Sequence, residues 1–176
     1  MRVIAGALKG RRLMAPPPGD LRVRPTSDRA REALFSILQR WPGGEFLDLC
    51  AGTGAVGVEA LSRGYEPVTC VESADPGWSS LVRNTQGTPV RTLRADIRRL
   101  PADAFGNQAV IFMDPPYDHA EDLWVKMADR LRSWIAADGV LVFETEARTA
   151  LELQPGWALA ERREYGAARF HLWTPA

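Results

Sequence analysis

The stretch Phe46-Leu47-Asp48-Leu49-Cys50-Ala51-Gly52-Thr53-Gly54-Ala55-Val56-Gly57 decides the fold. An apolar strand runs into a turn in which Gly52, Gly54 and Gly57 spell G-x-G-x-x-G. Glycine is required where a backbone turns sharply and a ligand must come close to it. Glu72 lies 20 residues past Gly52, at the end of the next apolar stretch, where a carboxylate can accept hydrogen bonds from ribose hydroxyls. The unit points to an adenosine-containing cofactor. By itself it does not say which one.

Two carboxylates tilt that choice. Asp48, four residues before Gly52, would crowd an anionic pyrophosphate but suits a cationic ligand. S-adenosylmethionine carries a sulfonium and an ammonium and no phosphate. Asp96, just past the third strand, can accept from an adenine amine. The plainer alternatives are a helix-entry carboxylate for Asp48, a strand-end charge for Glu72 and a loop surface charge for Asp96.

A second stretch follows the apolar strand Ala109–Met113: Asp114-Pro115-Pro116-Tyr117. In a parallel sheet it falls at the carboxyl edge, where such folds bind ligands. The exocyclic amine of a nucleobase is planar because its lone pair is delocalised into the ring. Two acceptors out of the ring plane, the Asp114 carboxylate and the Pro115 carbonyl, can draw its N–H groups toward a tetrahedral, nucleophilic shape. Pro115 and Pro116 stiffen the turn, so the acceptors are held in place beforehand. Tyr117 offers a face on which a base can stack. Proline punctuation after a strand is the competing explanation.

Around these turns, strands alternate with helices. Expected strands are Glu45–Cys50, Pro67–Glu72, Val90–Ala95, Ala109–Met113 and Gly139–Thr145, with helices over Ala55–Ser62, Pro76–Asn84 and Ala120–Ile135. Ala158–Glu164 and Arg169–Thr174 read as a closing antiparallel pair around Tyr165-Gly166. The pattern predicts an α/β, doubly wound Rossmann-like sheet of about seven mostly parallel strands with an antiparallel C-terminal hairpin. Ahead of it, Arg2–Ala5 and Arg11–Met14 flank a Lys9-Gly10 turn and read as a small hairpin. After Pro16-Pro17-Pro18-Gly19, Thr26 or Ser27 can cap a helix starting near Asp28, with Ala30, Leu34, Ile37 and Leu38 as its apolar stripe and Arg29, Arg31 and Glu32 off it. The division expected is a basic hairpin-helix extension over residues 1–40 and a catalytic domain over 41–176.

With 176 residues and 45% apolar content, the chain suits one ordinary domain and not a two-domain dehydrogenase. High apolar content at zero net charge also argues against disorder. No run approaches a membrane span and the first residues do not resemble a secretory signal, so the expectation is a cytoplasmic protein without membrane contact, monomeric by default. Cys50 and Cys70 have no metal or redox spacing and read as small buried hydrophobes; no metal is expected. Charge is segregated. Residues 1–31 carry a net +6 and the remainder a net −6, and 20 of the 22 basic side chains are Arg. Arg suits phosphate and base edges through its planar fork, so Arg2, Lys9, Arg11, Arg12, Arg22, Arg24 and Arg29 are the candidate nucleic-acid contacts.

Both motifs resemble those of the S-adenosylmethionine-dependent amino-methyltransferases of nucleic acids. Several further stretches narrow this: Arg2-Val3-Ile4-Ala5-Gly6, Lys9-Gly10-Arg11-Arg12-Leu13, Leu21 to Phe35 with its Arg24-Pro25-Thr26-Ser27-Asp28-Arg29-Ala30-Arg31-Glu32 head, and Leu49–Gly64 ending Glu59-Ala60-Leu61-Ser62-Arg63-Gly64. They are similar to the bacterial 16S rRNA guanine-N2 methyltransferase family (RsmD-like) over nearly the whole chain. That resemblance implies S-adenosylmethionine as methyl donor and a loop guanine of 16S rRNA, guanine-966, in the small subunit or its assembly intermediate as substrate. It implies catalysis by Asp114, Pro115, Pro116 and Tyr117, and cofactor contacts from Asp48, Gly52, Thr53, Gly54, Glu72 and Asp96. Arg24-Pro25-Thr26 would close over the methionine end. Three other readings stay open: an adenine-N6 or cytosine-N4 DNA methyltransferase, a nicotinamide-dependent oxidoreductase, and a non-enzymatic RNA-binding assembly factor.

Overall fold

The computed structural model describes residues 1–15 and 26–176. The Pro16–Gly19 tract, Arg22, Arg24 and Pro25 lie outside the described residues. The central strands form where apolar residues leave no polar face. β1 (Phe46–Leu49) is buried at all four positions, and β4 (Gln108–Met113) at nearly all. With β2 (Val68–Glu72), β3 (Arg91–Arg94), β5 (Ile135–Glu146), β6 (Trp157–Tyr165) and β7 (Ala168–Pro175) they build one sheet of order β3-β2-β1-β4-β5-β7-β6. The first five strands are parallel. β7 is antiparallel to both neighbours. The closing hairpin therefore turns back into the sheet: its second strand pairs with β5 and its first is left at the edge. β3 closes the other edge, where exposed Arg91 and Arg94 discourage pairing with another chain.

Side-chain alternation sends the strands' odd- and even-numbered residues into two cores. On one face α4 (Ala120–Trp134) lays Leu123, Trp124, Met127, Leu131 and Trp134 over Leu47, Leu49, Ile111, Met113, Leu141 and Phe143. Trp124 stacks on Trp173 with centroids 4.8 Å apart, a pairing worth about 0.5–1.5 kcal/mol beyond area burial. On the other face α1 (Asp28–Ile37), α2 (Ala55–Ser62) and α3 (Gly77–Thr85) cover Phe46, Cys70, Val110, Phe112, Val140 and Val142. Ser27 caps α1, its Oγ accepting from the Ala30 N–H at 3.1 Å. Among the described residues no helix is long and apolar enough to cross a membrane.

Three expectations need correction, and the expected N-terminal hairpin is met in a reduced form. The hairpin has one antiparallel bridge, Arg2 to Arg12, with Val3 N, Gly10 N and Leu13 N donating to the carbonyls of Arg11, Val3 and Met1 at 2.9, 2.9 and 3.0 Å. Its backbone is also held by α2: the buried Glu59 carboxylate accepts from the Ile4 and Ala5 N–H groups at 2.8 and 3.1 Å, and Ser62 Oγ accepts from Leu8 N at 2.9 Å. A Cβ on Gly6 would lie 1.7 Å from the Ser62 carbonyl oxygen, so only glycine fits there. Arg31 is not on the solvent side of α1. It is fully buried, donating to the Arg2 carbonyl at 2.7 Å and to Asp28 at 2.8 Å. Next, α4 ends at Trp134 and β5 begins at once, because Ile135 pairs with Gln108 before a register shift. Gly139, where a Cβ would meet the Gln108 carbonyl at 2.7 Å, lets the strands close up again. Finally, Cys70 is buried as expected, but Cys50 is only half-buried.

Candidate active site

The strand order reverses between β1 and β4, and a cleft opens outside their carboxyl ends, as such a switch point requires. Its volume is about 990 Å³. Leu49 of β1 and Met113 of β4 are register partners. The two turns singled out by sequence therefore leave neighbouring strands side by side, at Cys50 and Asp114.

Each glycine of the first turn has its own reason. Gly52 and Gly54 have φ of 54° and 76°, in the left-handed region. A Cβ on Gly54 would also meet Leu81 of α3 at 2.4 Å. Gly57 lies inside α2, where a Cβ would meet Cys70 Sγ at 2.2 Å, so it sets how closely the helix packs on the sheet. Cys50, with φ of 62°, is a non-glycine residue in the same region, and burial pushes its thiol pKa well up.

Asp48 is 1% exposed and lies under the turn. Its Oδ2 accepts from the Gly57 N–H at 3.0 Å, so it caps α2 from the strand below while lining the cleft. Burial, helped by the charges of Asp114 and Glu72, pushes its pKa well above the ordinary carboxylate value. Glu72 reaches across to the turn. Its Oε2 accepts from Gly52 N at 2.7 Å and its Oε1 from Ser73 N and Ala74 N, both at 2.8 Å. Thr53 and Thr26 also line the cleft. Asp96 does not. Its carboxylate caps the short turn Ile97–Arg99 and is held by the Arg98 guanidinium, which lowers its pKa.

Asp114, Pro115, Pro116 and Tyr117 all line the cleft. Asp114 and Tyr117 are half-buried, and Tyr117 opens a 3-10 turn that leads into α4. The far walls are elements the sequence did not single out: Glu144 and Glu146 at the end of β5, and the β6–β7 tip from Glu164 to Ala168. Two carboxylates following Val140-Leu141-Val142-Phe143 in a buried strand were the available signal. In all, seven carboxylates (Asp48, Glu72, Asp114, Asp118, Glu144, Glu146 and Glu164) and Arg29 line the cleft among the described residues. Such a lining favours a cation.

Of the basic candidates, Arg2, Lys9, Arg12 and Arg29 are exposed. Arg2, Lys9 and Arg29 share a second hollow of about 380 Å³ with Asp28 and Glu32, and Arg29 borders both hollows, so these basic side chains adjoin the cleft. Arg11 is committed elsewhere: it donates to the Asn84 and Gln86 carbonyls at 3.2 and 2.6 Å, closing the end of α3. Arg22 and Arg24 lie outside the described residues.

The family model described as conserved hypothetical protein 95 matches residues 1–174. The chain is 30% identical over 183 residues to the ribosomal RNA small subunit methyltransferase D of Haemophilus influenzae, covering 98% of this chain and 93% of that one. It is 29% identical over 180 residues to the Escherichia coli protein of the same name, covering 98% and 89%. Its fold superposes on the solved structure of the Escherichia coli protein called "Putative methyltransferase yhhF" with a TM-score of 0.84 at 26% identity, covering 99% and 97% of the two chains.

Proposed function

The chain belongs to the conserved hypothetical protein 95 family, and from that premise we propose that it is a 16S rRNA guanine-N2 methyltransferase using S-adenosylmethionine, with guanine-966 as its target. The observation that carries this reading is the register of Leu49 with Met113, which delivers the glycine turn and Asp114-Pro115-Pro116-Tyr117 to one cleft.

The cofactor suits the residues present. A sulfonium and an ammonium match a cleft lined by seven carboxylates, and Gly52, Thr53, Glu72 and Asp48 are the groups that would hold it, with Thr26 at the cleft wall. Gly54 serves by shaping the turn. When bound, the cofactor supplies an electrophilic methyl group. The chain's own residues supply position. Asp114 and the Pro115 carbonyl each accept one N–H of guanine N2 and draw the amine out of the ring plane, which frees its lone pair. Tyr117 stacks against the base, an interaction worth about 1–3 kcal/mol. Once N2 is methylated it is a strong acid and sheds one proton through Asp114 to water, so a weak carboxylate suffices. Positioning accounts for most of the acceleration.

A loop guanine is easier to extract from its stack than a paired one. In this reading residues 1–40 face the RNA and residues 41–176 carry the chemistry, with Arg2, Lys9 and Arg29 contacting phosphate beside the cleft and exposed Arg12 on the same arm adding a further contact. The protein acts as one copy, in the cytoplasm, on the small subunit or its assembly intermediate. The test is methyl transfer from labelled S-adenosylmethionine to undermethylated small subunits, with naked rRNA and DNA alongside, followed by nucleoside digestion. Label in N2-methylguanosine is the expected result. Label in an adenine or a cytosine would overturn the base assignment.

A further inference from the structure

We propose that Glu144 is the residue that reads guanine, its carboxylate accepting the N1–H of the flipped base while Asp114 and the Pro115 carbonyl hold N2. The proposal rests on the guanine-N2 reading of the cleft.

Met113 of β4 and Phe143 of β5 are register partners, so one residue further on, where β4 ends and β5 continues, Asp114 and Glu144 come side by side. Phe112 and Val142 both face the core under α1 and α2, and alternation puts Asp114 and Glu144 on that same face. Both line the cleft. Neighbouring strands are about 4.8 Å apart, close enough for two side chains to converge on adjacent atoms of one ring. Glu144 is only 5% exposed. A carboxylate so placed at the end of an apolar strand costs folding free energy, which makes its position chemically informative. Across the sheet it pairs with Phe170, and Phe170 packs on Tyr165 with centroids 5.4 Å apart, giving the carboxylate an apolar flank. Low polarity beside it strengthens whatever hydrogen bond it makes.

Guanine alone among the four bases carries a ring N–H next to an exocyclic amine. Adenine and cytosine place a ring acceptor beside the amine, which a carboxylate repels. Two carboxylates on adjacent strands thus match guanine's donor–donor edge and reject both other amino bases.

The test uses the full chain and reconstituted small subunits bearing guanine or 2-aminopurine at the methylated position. 2-Aminopurine keeps the C2 amine but has an acceptor at N1. The wild type is expected to favour guanine by at least about tenfold in kcat/KM, the size of one lost charged hydrogen bond. Glu144→Gln, whose amide can donate to N1, is expected to shrink or invert that preference. Equal loss on both substrates, or no change on either, overturns the assignment while leaving guanine-N2 methylation standing. A wild type that labels a different base overturns both. Should Glu144→Gln not fold, as judged by melting, Glu144→Asp decides. It should lower turnover of guanine and spare 2-aminopurine, and parallel losses would sink the idea.

Discussion

Asn84 ties the N-terminal arm to the cofactor turn: its Nδ2 donates to the Thr53 carbonyl at 2.8 Å while its Oδ1 accepts from Met14 N at 2.7 Å. The same Nδ2 also donates to the Met14 carbonyl at 3.1 Å. One buried amide of α3 thus holds the arm's last described turn against the loop that shapes the cleft. Asn84→Asp keeps the acceptor and loses both donations. It should destabilise the fold by about 1–3 kcal/mol, the cost of a buried group left unpaired, and weaken S-adenosylmethionine binding. Denaturant unfolding and a cofactor titration check this. Intact cofactor affinity would show that the turn holds its shape without the amide.

Asp114 is predicted to act as an orienting acceptor and not as a cofactor ligand. Asp114→Ala should abolish turnover while S-adenosylmethionine still binds within a few-fold of the wild type. Calorimetric titration beside a single-turnover assay separates the two effects. Loss of cofactor binding would put Asp114 in the wrong role.

Ionising Asp48 is costly, since burial holds its pKa well above the ordinary value. Its folded pKa is raised, so ionisation weighs against the fold as pH rises past the unfolded value. Asp48→Asn keeps an acceptor for Gly57 N and removes the ionisable carboxyl. The variant should melt at or above the wild-type temperature at neutral pH, yet bind the sulfonium cofactor more weakly by about tenfold, a loss of about 1.4 kcal/mol. An unchanged affinity would leave Asp48 as a helix cap only.

Arg2, Lys9 and Arg12 are exposed on the arm and clear of the cleft lining. Replacing all three by Ala should leave cofactor affinity unchanged and weaken particle binding. The slope of log affinity against log salt should fall by about 2, since each phosphate contact contributes about 0.7–0.9. Filter binding across a salt series reads this directly, and an unaltered slope would move the RNA contact to another surface.

His171 is buried, with Nε2 2.9 Å from Thr145 Oγ1, and burial drives its pKa down to about 4 from 6.5, aided by Arg162 and Arg169. The unfolded chain takes up this proton near the ordinary value and the folded chain resists it. Stability should therefore drop as pH falls from about 6.5 to 4, by roughly 3 kcal/mol at most from this residue. His171→Asn should flatten that part of the curve in urea unfolding. Parallel curves for the two proteins would mean that His171 titrates normally.

Much of this was legible in the sequence because it is local. Residues 46–57 turn as they do through the steric freedom of Gly52 and Gly54, and Asp114 to Tyr117 through two rigid prolines; neighbouring atoms along the chain decide both. The alternation of apolar residues similarly set the strands, the helices and the doubly wound class. Tertiary structure decided what depends on partners far away in the chain. Gly6 and Glu59 were visible as parts of separate motifs, but that they dock on each other's segments required α2 to meet the arm across some 55 positions. Arg31 was expected outside and is buried because the Arg2 carbonyl and Asp28 wait for it there. Asp96 was expected at the cofactor and is held by Arg98. Glu144 carried no motif, and only the pairing of β4 with β5 brought it to Asp114. The physical reason is the same throughout: backbone sterics act between neighbours, whereas a buried charge or amide is satisfied by whichever group the packed sheet and helices bring within hydrogen-bond reach.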